Sequence, residues 1–457
     1  MKNMIINSEE KSDHVNNERL NAYSLAGIGI GGVIGAGFFL GSSLAINQAG
    51  PSVIIAFLLG GMIMSQVLGA MTSITINRTS PRSFRVYIEE FLGPFPGALI
   101  GWMVLVSGIL TLCSEALASG TFLRYWFPNL SISVLALLVL FFVIGINALG
   151  KSGFGSIETA MAMIKIAVLL IFIVLGGLFL FMRGIPLTPN PFSSFNTVFP
   201  KGVSGLFQSM LIVIFTYGGI SAVAMAAPEV KEPRKEIPKA TVLTTLGVVF
   251  LYVISMAVIV SLVRWNTINT DVSPFVLAFS KMRISWASAM MNLIILVTAV
   301  SVMIATYYTC SRMLVSLSKT DQAPALFTNA TPKGFYKNAW ILVAISTFLI
   351  LGMSFILGSK LFNYLVSASS YFSFLNWSIN LITFIVWLKH RNDEENYVSP
   401  LIWGRFGAYG TLGAIVLLSV VSLRVEDFRI GFYIAIIILI MFTSLYFLLK
   451  NKKKLLI

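Results

Sequence analysis

Residues 27–39 read GIGIGGVIGAGFF, with six glycines inside an otherwise apolar run. Three chemistries suit such a run. Gly27, Gly29 and Gly32 have G-x-G-x-x-G spacing, which holds a dinucleotide pyrophosphate only where a strand precedes it and a helix follows. Gly27, Gly31 and Gly35 recur every four residues, the spacing that lets membrane helices pack closely. Dense glycine also weakens a helix, by about 1 kcal/mol per residue relative to alanine. An interruption at Val33, Ile34, Gly35, Ala36 and Gly37 would free N–H groups that attract an anion. Carbonyls left at the end of the preceding half-helix attract a cation. A zwitterion carries both charges. Two ionisable residues also lie deep in apolar sequence: Lys165 in ETAMAMIKIAVLLIF and Glu115 in TLCSEALASG. A charge at the bilayer centre costs roughly 2.5–3.5 kcal/mol on insertion scales, so each is a functional hypothesis.

These residues need elements to position them. The 457-residue chain is 57% hydrophobic and 11% charged, against about 25% charged in soluble domains. That composition belongs to an all-α polytopic membrane protein. About 20 apolar residues cross the hydrocarbon core, and twelve spans are expected: 22–46, 51–76, 96–122, 130–149, 157–182, 203–226, 238–263, 286–311, 339–357, 361–388, 405–423 and 428–449. Pro238 would sit in the first turn of the seventh. Of the 32 Lys and Arg residues, 22 fall on the side of the amino terminus and 9 on the other, with Lys165 inside a span. The bias predicts cytoplasmic termini. The polar first residues, which lack an apolar core, are expected to form a cytoplasmic tail (1–21) rather than a secretory leader. A basic tail (450–457) would anchor the other end.

The sixth span carries a second glycine run, with Tyr217, Gly218, Gly219 and Ile220 in FTYGGIS. Five spans separate the two runs, so the second unit enters the membrane from the opposite side. This predicts a 5+5 inverted repeat, 22–182 against 203–388, followed by two further helices at 405–449. Interrupted helices at matching places in two halves point to a transporter binding site.

Other functions fit less well. The nucleotide reading fails, because no βαβ pattern surrounds the glycines. The net charge of +14 follows from the cytoplasmic bias, and no nucleic-acid partner is expected. Cys113 and Cys310 lie in apolar runs and His14 and His390 in polar flanks, so no metal, cofactor or catalytic constellation is expected. The partners are a small solute and the lipid bilayer; the oligomeric state is not legible.

Five segments carry a family resemblance: GGVIGAGFFLGSS (31–43), FTYGGISAVAMAAPEVKEPRKEIPKA (215–240), SPFVLAF (273–279), SRMLVSLSKTDQAP (311–324) and FNYLVSASSYFSFLNWSINLITFIVW (362–387). In this order, over nearly the whole chain, they resemble the amino acid permeases of the amino acid–polyamine–organocation superfamily, most closely the bacterial amino acid transporter branch. The resemblance implies a LeuT-like fold in the plasma membrane, with helices 1 and 6 broken around an amino acid. It implies that Phe215 is an aromatic lid and gate, and that Glu229 gates within the loop after the sixth span. It places Lys165 where sodium-coupled relatives bind an ion, and so implies proton coupling. Glu115 would contact the substrate ammonium or hold a proton. Among the hydroxyls of the eighth span, Ser301, Thr306, Tyr307 and Tyr308, Ser301 is assigned to the substrate. A pocket of Val33, Ala36, Phe215 and Ile220 leans towards a neutral amino acid.

The sequence departs from the family in GAMTSITINRTSPRSF, where Ser73 stands in place of an acidic residue and Arg82 in place of a glycine. Three readings stay open: a proton-coupled importer, an amino acid exchanger, and an amino acid sensor with little transport.

Overall fold

A computed structural model describes residues 21–78, 84–148, 154–183, 190–220, 223, 230, 232–331 and 335–455. Its secondary structure is helical, with no β-strand among the described residues. Ten helical stretches are long and apolar enough to cross a membrane, and Ala22–Val33 and Ile132–Ala148 are shorter apolar helices. Large apolar side chains face outwards, among them Phe406 at 90% and Ile356 at 87% exposed. Such a surface suits lipid, where burying apolar groups inside the protein brings no advantage over leaving them outside.

The first expected span is divided. Helix α1 (Ala22–Val33) begins on Asn21, whose side chain accepts from the Ser24 N–H. It ends at Ile34, where the backbone turns extended, and Gly35 is extended as well. Helix resumes as α2 (Ala36–Phe39) and α3 (Gly41–Ala49). The interruption is therefore two residues long, Ile34 and Gly35, within the expected 33–37. Helices α4 (Val53–Asn77), α5 (Arg85–Leu92), α6 (Pro94–Leu123), α7 (Ile132–Ala148) and α8 (Phe154–Arg183) follow.

Helix α9 (Gly202–Thr216) stops at the second glycine run. There Gly219 has φ +85°, a region open to glycine and costly for other residues. Helix α10 (Pro233–Leu262) then starts earlier than expected. Pro233 takes the first-turn position foreseen for Pro238, which lies one turn further inside the helix. The expected seventh span undercounted because its first turn is polar (PRKEIPK) and hydropathy does not mark it. Helices α11 (Pro274–Lys281), α12 (Ser285–Lys319), α13 (Lys337–Gly352), α14 (Lys360–His390), α15 (Gly404–Ser422) and α16 (Glu426–Leu455) complete the chain. The eighth and tenth expected spans, for all their polar residues, are the unbroken α12 and α14.

Glycine sets how α1 packs. A Cβ on Gly31 would lie 2.2 Å from the Ala162 Cβ of α8, whereas one on Gly27 would make only ordinary contact at 3.9 Å. A Cβ on Gly29 would lie 2.3 Å from Val223 Cγ2, so close packing falls on Gly29 and Gly31, not on Gly27. Beyond the break lies a buried aromatic cluster. Phe38 stacks on Tyr252 at 3.6 Å and meets Phe57 and Phe275 edge-on.

Ser73 finds its role at the other end of α4. Its Oγ donates to the Gly69 carbonyl and accepts from the Ser399 N–H at 2.9 Å. Asn77 donates to the Tyr397 carbonyl, and Gln66 exchanges hydrogen bonds with Leu401 and Trp403. Arg78 pairs with Glu395 at 2.6 Å and also with Glu90. The segment between α14 and α15 is thus fastened along α4. Arg82 lies outside the described residues.

Candidate functional site

The two interruptions meet. A Cβ on Gly219 would lie 2.8 Å from the Gly32 carbonyl oxygen, so the second turn rests directly on the end of α1. The Tyr252 hydroxyl of α10 lies 3.2 Å from the Val33 carbonyl and 3.1 Å from the Thr216 carbonyl. It spans the last turns of α1 and α9, two helix ends whose carbonyls otherwise lack partners. Tyr252 was not foreseen as a site residue. The sole signal was a tyrosine within the apolar run GVVFLYVIS, and that does not tell which face it occupies.

A cavity of about 610 Å³ opens beside this junction. Of the residues assigned to substrate, Val33, Gly35, Gly37, Phe215, Gly218, Gly219, Ile220 and Ser301 line it, together with Glu115 and Lys165. Ile34, Ala36 and Tyr217 are not among its lining residues. Tyr217 faces away, donating its hydroxyl to the Phe57 carbonyl at 2.7 Å. Ala36 contributes through its backbone, described below. Glu229 lies outside the described residues. In α12, Thr306 lines the cavity with Ser301. Tyr307 instead donates to the Trp340 carbonyl, and Tyr308 bonds to Arg312.

Phe215 packs its ring over Gly37. A Cβ there would lie 2.6 Å from Cε1 of the ring. The cavity passes from this ring away from the aromatic cluster, between α6, α12 and α14, to Phe84, Arg85, Arg312 and Ser316. Ser301 and Ser316 are 15 residues apart on α12, so the space runs about 22 Å along the helix.

The freed N–H groups after the break are not idle. The Ala36 N–H donates to Glu115 Oε2 at 3.1 Å and the Gly37 N–H to Oε1 at 3.4 Å. Glu115, on α6, is 3% exposed. A Cβ on Gly35 would lie 2.9 Å from its Oε1, so the carboxylate needs a glycine opposite it. The place where an incoming anion was expected holds the protein's own carboxylate.

Lys165, on α8, is 4% exposed, and its Nζ donates to the Gly31 carbonyl at 3.0 Å. The cation thus sits at the carbonyl end of α1, the favourable end of the helix dipole. It interacts electrostatically with Glu115. The charge pair therefore brackets the break, the cation on one half-helix and the carboxylate on the other. At the far end, Arg85 is buried. Burial holds its guanidinium below the ordinary range, against the opposing pull of Glu89.

No cluster of metal-ligating side chains is present among the described residues. The cavity is instead lined by one acid and one lysine at a junction of two helix breaks, the acid on the Ala36 and Gly37 N–H groups and the lysine on the Gly31 carbonyl. That set can hold a small zwitterion.

Comparison with known proteins identifies the family. The family model for "Amino acid permease" matches residues 25–457. An uncharacterized amino acid permease of Bacillus subtilis (strain 168), YvbW, is 34% identical over 400 residues, covering 87% of this chain and 88% of its own. The gamma-aminobutyric acid permease of the same organism is 30% identical over 374 residues, covering 80% and 78%. The aromatic amino acid transport protein AroP of Escherichia coli (strain K12) is 28% identical over 369 residues, covering 80% and 81%. With apolar helices throughout and a family match over almost its full length, this chain belongs to the amino acid permease family of multi-pass membrane transport proteins.

Proposed function

We propose that this chain imports an amino acid across the cell membrane by alternating access, coupled to protons. The observation that carries the reading is the meeting of two helix interruptions at one cavity. Twelve spans arranged as a LeuT-like 5+5 inverted repeat, 22–182 and 203–388, with 405–449 as two added helices, would bring the breaks at Ile34–Gly35 and Tyr217–Ile220 together in this way. Both termini would be cytoplasmic. The cavity, continuing towards Arg85 and Arg312 and stopped the other way by Phe38, Phe57 and Phe275, then corresponds to a state open to the cytoplasm. Phe215 closes over the substrate, whose ammonium faces the carbonyl ends of α1 and α9.

The lining supports a neutral side chain: Val33, Phe215, Ile220 and Val302 surround the junction. Relatives named for gamma-aminobutyric acid and for aromatic amino acids favour uncharged or zwitterionic solutes too. A competition panel of the twenty amino acids against labelled uptake in proteoliposomes tests this. Neutral amino acids should compete, and a panel in which none does would remove the transport reading.

The position of Glu115 adds a step. A substrate carboxylate that takes the Ala36 and Gly37 N–H groups must displace it, and the displaced carboxylate, close to a second anion, takes up a proton. Glu115→Gln is therefore expected to bind the substrate about five- to tenfold more tightly, the equivalent of roughly 1–1.4 kcal/mol. Binding should also lose its pH dependence. Scintillation-proximity binding at several pH values measures both. Tenfold weaker binding would instead put Glu115 on the ammonium.

One observation favours exchange as a second reading. Lys165 is held on the Gly31 carbonyl, as a fixed structural cation would be. Uptake that ignores an imposed pH gradient and requires internal amino acid would select this reading over proton symport.

A further inference from the structure

The end of the cavity away from the break carries charge that the transport reading leaves unused. Arg85 and Arg312 line it there, Lys165 lines it at the break, and Glu115 is the one acid among the described lining residues. Among the described lining residues three cations therefore stand against one anion. Arg312 is half-buried, with its Nε on the Tyr308 hydroxyl and its guanidinium over the Tyr308 and Tyr336 rings. Arg85 differs. It is 4% exposed, and its Nη1 donates to Gln322 Oε1 at 2.6 Å and to Glu89 Oε2 at 3.4 Å. Its Nη2 lies 3.4 Å from Thr320 Oγ1. Its Nε is buried with no hydrogen-bond partner.

This is an expensive arrangement for a structural arginine. A buried charge is tolerated when its donors and its charge are met, and here neither is complete. The one acid in reach is at the limit of hydrogen-bond distance and itself half in solvent. The guanidinium is nonetheless held firmly. Gln322 is fixed by the Trp102 indole, which donates to its backbone carbonyl at 3.2 Å. Gly101 leaves room for the arginine stem, since a Cβ there would lie 3.1 Å from Arg85 Cδ. A rigid guanidinium with two of its five N–H groups unspent, one on Nε and one on Nη2, and lining the cavity, is equipped to receive a carboxylate.

We propose that Arg85 anchors a second, carboxylate-binding site in this cavity, its guanidinium offering the Nη2 N–H not spent on Thr320 and Arg312 adding field. The site lies along the path between the helix breaks and the far end of the cavity. On the transport reading, it receives the amino acid carboxylate in transit, after it leaves the Ala36 and Gly37 N–H groups.

Acetate is the probe, because it has the carboxylate and lacks the ammonium. Tryptophan emission of the detergent-purified full chain is titrated with sodium acetate at constant ionic strength, with methylammonium chloride as control. Trp377 lines the cavity and Trp102 touches Gln322, so occupancy has nearby reporters. The expected result is saturable binding of acetate, weakened at least tenfold in Arg85→Gln, and no response to methylammonium. Arg85→Lys keeps the charge without the guanidinium fork and is expected to weaken binding at least fivefold. It carries the test if Arg85→Gln does not purify as a monodisperse protein. An unresponsive wild type, an unchanged affinity in either variant, or an equal methylammonium response overturns the proposal.

The source of the carboxylate is read in proteoliposomes. Acetate on the Arg85 side should raise the apparent KM for amino acid from that side at constant Vmax. A change in Vmax alone would mean a free cellular anion and would overturn the transit role. The acetate titration does not depend on which solute is carried. Its failure leaves the transport reading standing, and a failed amino acid panel leaves the Arg85 site standing.

Discussion

Gly37→Leu is expected to abolish amino acid binding, lowering affinity at least 100-fold, which corresponds to about 2.7 kcal/mol or more. Gly37 lies within helix α2 and carries no left-handed φ, so leucine suits the backbone and the effect is steric. The first added carbon already falls 2.6 Å and 3.0 Å from Phe215 Cε1 and Cδ1. The rest of the side chain must enter the cavity or push the ring out of place. Either outcome fills the position where the N–H groups of Ala36 and Gly37 would meet a carboxylate. Gly37→Ala separates the two effects, because its single carbon, 2.6 Å from Phe215 Cε1, forces the ring to shift without filling the cavity, and a loss of roughly three- to tenfold is expected. Equilibrium binding of the amino acid selected by the competition panel measures both variants. Wild-type affinity in Gly37→Leu would count decisively against this site.

Lys165→Ala is expected to uncouple uptake from the proton gradient and to reduce gradient-driven accumulation at least tenfold. The Lys165 Nζ is the donor found on the Gly31 carbonyl, one turn before the break, and the cation interacts with Glu115 across it. Removing it takes a charge from the carbonyl end of α1 and leaves Glu115 without its electrostatic partner. Removing one partner leaves Glu115 as an uncompensated buried charge, so a loss of about 3–5 kcal/mol in stability is expected as well, and the binding readout shows that the variant is folded. The measurement is uptake into proteoliposomes with and without an imposed pH gradient, beside binding to the detergent-purified variant. A coupling residue loses the gradient response and keeps substrate binding within about threefold. Uptake that keeps the wild-type pH response would remove Lys165 from the mechanism.

These two predictions draw on different layers of information. Gly37 and Lys165 stand out in the sequence, one through glycine density and the other as a lone charge in apolar surroundings. Their partners do not. Phe215 meets Gly37 across 178 residues of chain and Gly31 meets Lys165 across 134. In both cases the resemblance to a known family narrowed the choice, and the geometry then supplied the contact. The segment from Gln66 to Arg78 is a further case. As sequence, Ser73 is only a missing acid. In the structure its hydroxyl is spent on Gly69 and Ser399, as part of the fastening that joins α4 to the segment before α15.

The elements and their weak points follow from local sequence. Apolar length defines membrane helices, because an unpaired backbone is intolerable in hydrocarbon. Glycine clustering locates the two breaks, because helix propensity is a local property. Only the tertiary structure decided what fills them. Glu115 reaches the Ala36 and Gly37 N–H groups from 79 and 78 residues away, and Tyr252 joins Val33 and Thr216 from a third helix. Arg85 reads as an ordinary basic residue in a polar connection until α6 and α12 bury it. Hydrogen-bond partners and burial depend on which helices become neighbours. No pattern within one helix carries that information, so the break and the lone lysine were legible, while the carboxylate on the Ala36 and Gly37 N–H groups and the burial of Arg85 were not.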